Sequence, residues 1–295
     1  LITNKKNLVH LALFAVALFY AGNFSFAKWA MPQYISPSAF ILLRVGSGMV
    51  FFVVYYLFFS TERIKQKQDY WQLFIAAFFG VAFNMTAFFK GLSMTSSINA
   101  SVLMLMAPVF VVIFSAIGNK TPIKPIVYTG IIIAFIGAAL LVDVFHFSID
   151  SNGLMGDILV MLNAISYAYY LYFVARLLKK YNAITITTFL FVFGFVMVLP
   201  IGVSDFVNVE WTFLPNKAIF SMTYVIIGVT ILAYLMNAWA LQNSNSTTVG
   251  SYIYLQPLLA TLIAICLGMD NLSIEKVGYG LLIISGLFLV NKGKN

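Results

Sequence analysis

Lys90-Gly-Leu-Ser-Met-Thr-Ser-Ser-Ile-Asn-Ala-Ser101 is a polar turn between two long apolar runs, and Ala240-Leu-Gln-Asn-Ser-Asn-Ser246 repeats its character far downstream. The echo keeps a register. Leu92, Ser97 and Pro108 recur at one constant offset as Leu241, Ser246 and Pro257, and Gly137 recurs as Gly286. A second set, Tyr20, Ala21, Phe26 and Tyr34, is echoed by Tyr167, Ala168, Phe173 and Tyr181. The chain therefore reads as two related halves, 1–145 and 146–295.

Outward from these turns, uninterrupted apolar windows fall at 8–30, 37–59, 70–92, 97–118 and 123–143, then at 154–178, 184–203, 217–242, 247–268 and 274–291. Each is close to the ~20 residues a helix needs to cross a bilayer core. Runs this long, without period-two alternation, exclude strands. Turn residues such as Pro37, Pro125, Gly153 and Pro215 stand between them. With 62% hydrophobic and 9% charged residues, against about 25% charged in soluble domains, the expected fold is an all-α polytopic membrane protein of ten transmembrane helices. Five helices per half is an odd number, so the second half enters the membrane in the opposite sense, an inverted repeat. The first run ends at Lys28 without a small-residue cleavage pattern and is expected to stay in the membrane.

The net charge of +8 is spread singly or in twos and threes between apolar runs, so no nucleic-acid partner is expected. Twelve of the 17 basic residues, among them Lys5, Arg63, Lys120, Arg176 and Lys292, fall on the side of the two termini. The positive-inside rule then places both termini in the cytoplasm, with a bacterial inner membrane as the expected location and the lipid bilayer as partner. The single cysteine, Cys266, sits in an apolar stretch and reads as packing.

Tyr20-Ala-Gly-Asn-Phe24 followed by Lys28, with Ser36-Pro37 leading to Arg44, resembles the opening of the EamA family of the drug/metabolite transporter superfamily. The turn at 90–101 with Ala107-Pro-Val-Phe110, and its counterpart with Gln256-Pro257, resemble that family's passages from helix three to four and from eight to nine. The resemblance covers essentially the whole chain. It implies two inverted five-helix EamA repeats around a central cavity lined by helices 1, 3, 4, 6, 8 and 9, and a small-metabolite carrier, often an exporter of amino acids. One departure stands out: where the family commonly has an acidic residue after helix four, this chain reads Gly118-Asn119-Lys120, which leaves Asp270 as a counterpart in the second half.

Arg44 and Lys90 are the only basic residues well inside predicted spans, where a charge costs several kcal/mol unless solvated or paired. Arg44 is expected to be a structural charge, because the resemblance leaves helix two outside the cavity ring. Lys90 is expected to attract a carboxylate or other anionic group of the substrate. Asn84 lies six residues before Lys90, about 120° away around a helix, so the two need not share a face. Tyr20 and Asn23 on helix one are matched by Asn163, Tyr167 and Tyr170 on helix six. Helix eight adds Asn237 beside Tyr234, and helix nine adds Thr248, Tyr252 and Gln256 at one-turn intervals. These amides and tyrosines suit a small polar solute, and equally a packing seam that uses polar residues as glue. Pro108 and Pro257 are candidate hinges, the alternative being static kinks. Gly130, Gly137, Gly278, Gly280 and Gly286 fit close packing of helices five and ten and leave a homodimer open.

The expected function is alternating-access transport of small metabolites, most simply export of amino acids or related solutes. Uptake or exchange of nucleosides, sugars or other metabolites, and a non-transporting scaffold, are the alternatives. No nucleophile–base pair, metal-ligand spacing or phosphate loop appears, so no enzyme, metal or cofactor is expected. The nine acidic residues fall in loops or near helix ends, which points to facilitated diffusion or exchange rather than carboxylate-based coupling.

Overall fold

Ser36-Pro37 starts its helix for two local reasons: the Ser36 hydroxyl accepts the Ala39 amide at 3.2 Å, and Pro37 sits where no helical N–H is needed. The same logic recurs at Asn245, whose side chain caps Thr248, and at Ser273, which caps Lys276. In the computed structural model, residues 2–95, 97–119, 123–141, 153–266 and 273–293 are described. In chain order the helical units are α1 (Ile2–Ala30), α2 (Pro37–Phe59), α3 (Lys67–Met94), α4 (Ser97–Met104 and Ala107–Asn119) and α5 (Pro125–Leu141). They continue with α6 (Leu154–Leu177), α7 (Ala183–Val207), α8 (Asn216–Gln242), α9 (Ser246–Ser251, then Leu255–Cys266) and α10 (Ile274–Lys292). The candidate counterpart Asp270, with Lys120 and His146, lies outside the described residues.

Seven of these units, α1, α2, α3, α6, α7, α8 and α10, are long and apolar enough to cross a membrane. That is fewer than the ten expected, and the reasons are local. α4 breaks at Leu105 and Met106, and α9 passes through a 3-10 turn at Tyr252–Tyr254. In each the proline, Pro108 or Pro257, lies in the first turn after the break, where its missing N–H costs least. α5 is described only to Leu141. Large apolar side chains such as Phe58, 78% exposed, cover the outside of the bundle, as lipid contact requires. The chain is an integral membrane protein.

Two of the long helices contain a π-helical segment: Phe78–Ala82 within α3 and Val225–Leu232 within α8. Such a turn inserts an extra residue and rotates everything after it, which alters the faces read from a regular helix.

The packing partners are paired. α1 packs on α8 and α9, α6 packs on α3 and α4, α2 packs on α7, and α5 packs on α10. α5 and α10 meet backbone to backbone: a Cβ at Gly286 would lie 2.5 Å from the Ala134 nitrogen and 2.6 Å from the Gly130 carbonyl oxygen. Gly137 also abuts α10, at the Tyr279 carbonyl, whereas Gly280 faces Leu258 of α9 and Gly278 has open space beside it. Cys266, read as packing, is exposed at the last residue of α9.

At the end of the bundle that carries the termini, the buried Asp69 carboxylate accepts from Lys180 at 2.9 Å and from the Tyr181 hydroxyl at 2.7 Å. Burial first, then that donation to Asp69, hold the Tyr181 phenol above its ordinary pKa. At the opposite end, Thr95 donates to Asp157 at 2.5 Å, and Asp157 lies in the first turn of α6, where a helix N-terminus favours negative charge.

Candidate substrate cavity

A cavity opens in the middle of the bundle, walled by Tyr20 and Asn23 of α1, Asn84, Met85, Phe88 and Phe89 of α3, and Met104 of α4. Asn163 and Tyr167 of α6, Tyr234 of α8, Ile253 beside α9 and Gln256 of α9 complete the ring. α2 enters it as well, through Arg44. Its volume is about 60 Å³.

The α3 and α6 walls are tied across the middle. Asn84 donates its amide to the Asn163 carbonyl at 3.3 Å, and Asn163 donates back to the Asn84 carbonyl at 2.8 Å. This exchange fixes which end of the Asn163 amide is oxygen, and among the described residues that Oδ1 has no partner, nor does Oδ1 of Asn23. Both residues are 3% exposed. Tyr167 receives a hydrogen bond from the Asn237 amide at 3.0 Å, and the Tyr234 hydroxyl donates to the Gly80 carbonyl in the α3 π-turn at 2.8 Å.

Arg44 is 4% exposed. Its Nε donates to Thr230 Oγ1 at 2.7 Å, and Thr230 donates in turn to the Val225 carbonyl at 2.8 Å within the α8 π-segment. The guanidinium carbon stands 5.3 Å from the Phe89 ring centroid, a cation–π distance. Among the described residues, no Asp or Glu lines the cavity.

Of the residues singled out from the sequence, Tyr20, Asn23, Asn84, Asn163, Tyr167 and Gln256 come together around this space. Five others are placed elsewhere. Lys90 is exposed near the C-terminal end of α3, turned about 120° from Asn84, and does not reach the cavity. Tyr170 is buried against the α3 π-turn, so close that a Cβ at Gly80 would come within 2.4 Å of its ring. Asn237 stands behind Tyr167 as its donor. Thr248 is held in the capped first turn of α9 by Asn245. Tyr252 turns to His10, its hydroxyl 2.7 Å from Nδ1, because the 3-10 turn at 252–254 takes it off the face of Gln256. Arg44, read as a structural charge outside the ring, stands in the cavity wall. Tyr234, read from the sequence only as a neighbour of Asn237, also stands in the wall, and nothing in the local sequence of Met85, Phe88, Phe89, Met104 and Ile253 separates them from lipid-facing neighbours.

Long apolar helices around a buried polar and aromatic cavity, with Arg44 in its wall and no acidic partner to it among the described residues, define an integral membrane protein with an internal site. The model of the EamA-like transporter family matches the chain twice, over residues 7–143 and 154–292. The chain belongs to the EamA-like transporter family of the drug/metabolite transporter superfamily, and it is a membrane transporter rather than an enzyme. A transporter of Archaeoglobus fulgidus is 27% identical over 286 residues, covering 95% of this chain and 96% of its own length. The Bacillus subtilis transporter YyaM is 24% identical, covering 95% of this chain and 92% of its own. One solved crystal structure superposes with a TM-score of 0.74 at 16% identity over 95% of both chains, which speaks to the fold.

Proposed function

We propose that the protein is an alternating-access carrier of amino acids or related small solutes, working outward across a bacterial inner membrane. The carrying observation is the central cavity, whose wall combines a buried cation, amide acceptors and aromatic faces, the set a small polar metabolite needs. The proposed architecture is ten spans in two inverted repeats, 1–145 and 146–295, with both termini cytoplasmic. The two family matches support it, since one falls within each half. So does the packing, in which α1 with α8 and α9 mirrors α6 with α3 and α4. The breaks before Pro108 and Pro257 are the proposed hinges, each at the start of the second segment of a cavity helix. With no carboxylate in the described wall, facilitated diffusion or exchange is the expected mode.

The test is uptake and counterflow in proteoliposomes with labelled amino acids, and nucleosides as contrast, with and without a proton gradient. Saturable amino-acid flux without a gradient is expected. Flux of nucleosides alone would replace the substrate class, and flux only with a gradient would overturn the uncoupled mode.

A further inference from the structure

We infer that Arg44 is the anchor for an acid group on the carried solute, with the amide oxygens of Asn23 and Asn163 taking that solute's N–H donors. The inference deepens the transport reading and rests on it for the solute being moved rather than only held.

A guanidinium carries five N–H donors. Thr230 takes the one on Nε, and among the described residues no hydrogen bond reaches the two terminal amino groups. A cation so placed is costly to keep unless an anion or water meets it. Phe89 offers its ring face at 5.3 Å, which offsets part of that cost without neutralising the charge. No carboxylate in the described wall competes for it.

The tether matters as much as the charge. Because Thr230 binds Nε, the planar group is held by its inner edge, and the fork of terminal donors is left in the geometry that matches two carboxylate oxygens. Thr230 is itself fixed by its bond to the Val225 carbonyl. It is a positioning residue.

The other half of the recognition set is acceptor-only. Among the described residues, Asn163 Oδ1 is unpartnered while its Nδ2 is committed to the Asn84 carbonyl, and Asn23 Oδ1 is unpartnered too. A buried acceptor left without a donor costs about 1–3 kcal/mol. A solute carrying an acid group and an amino group would satisfy Arg44 and these oxygens together once the walls part, since both oxygens are fully buried in this state. Lys90, exposed on another face, has no part in this site.

The experiment uses the purified protein, comparing L-alanine and L-leucine with their carboxamides, which keep shape and amino group but lose the anion. Ligand-induced thermal stabilisation reports binding, and proteoliposome flux reports transport. Arg44→Gln is expected to weaken the acids by tenfold or more, the size of a lost hydrogen bond to a charged group, with the carboxamides unchanged. Arg44→Lys, which keeps the charge but not the fork, is expected to fall between. Equal weakening of acids and carboxamides would make Arg44 structural and overturn the inference. So would a wild-type protein that binds no acid. Arg44-dependent binding without flux would overturn the transport reading and leave the anchor standing. Should Arg44→Gln not fold, Thr230→Val decides: a severalfold loss for acids alone supports the anchor, and no loss or an equal loss overturns it.

Discussion

Phe78–Ala82 in α3 and Val225–Leu232 in α8 are both π-helical and lie in helices that the proposed repeat relates, yet the carbonyls they release go to different partners. In α3 the donors come from other helices: Ser166 of α6 reaches the Phe79 carbonyl at 2.7 Å, and Tyr234 of α8 reaches that of Gly80. In α8 the segment supplies its own donor, Thr230, and the same hydroxyl accepts from Arg44. One segment braces three helices together, and the other presents a charge. On the reading proposed above, a related backbone feature thus serves cohesion in α3 and recognition in α8.

The largest effect that sharpens this contrast is expected from Gly80→Ala. The new Cβ would stand 2.4 Å from the buried Tyr170 ring, and overpacking of this kind costs about 1–3 kcal/mol. A clear drop in melting temperature is expected, and an unchanged one would mean the α3 turn braces nothing.

Thr230→Val and Ser166→Ala come next, as a pair. Each removes one hydroxyl from a π-segment carbonyl; Ser166→Ala is expected to cost about 0.6 kcal/mol, typical of an interhelical hydrogen bond in a membrane protein, and Thr230→Val about 1.5–3 kcal/mol, because it also takes the acceptor from the buried Arg44 Nε. Only Thr230→Val is expected also to weaken binding of acid solutes, measured on the same purified protein. Equal effects of the two variants on binding would erase the distinction between brace and presenter.

Gly228→Ala is expected to lower the melting temperature by less than Gly80→Ala, because its Cβ meets the half-buried Phe19 ring at 2.9 Å rather than a buried ring at 2.4 Å. Smallest of all is Lys90→Ala, expected to leave acid-solute affinity where it was. A loss of affinity there would put the anion site at the rim of α3 instead of at Arg44.

The sequence was most legible where single residues set local geometry. The apolar run 37–59 coincides with α2, and 217–242 lies within one residue of α8, since Ser36-Pro37 and Pro215 mark where each helix can start. Regular helical periodicity also brought Tyr20 with Asn23 and Asn163 with Tyr167 to the cavity, because α1 and α6 run unbroken through those residues. It failed for Thr248 and Tyr252, where the 3-10 turn of α9 changes the rotation per residue. Phe78-Phe-Gly-Val-Ala82 carries no local mark of its π-turn, which is stabilised by hydroxyls from α6 and α8 that only the folded chain supplies. Arg44 was conspicuous as a mid-span charge, but its reach into the cavity depends on Thr230, nearly two hundred residues away and invisible to any local pattern.

The lone thiol offers a ruler. Cys266 is exposed at the far end of the α9 segment that begins just before Pro257, and it is the only cysteine in the chain. One further cysteine, placed on another helix in an otherwise native sequence, would make a two-label pair for spin or fluorescence distance measurements. The spread of that distance, with and without solute, would measure how far α9 swings at its break.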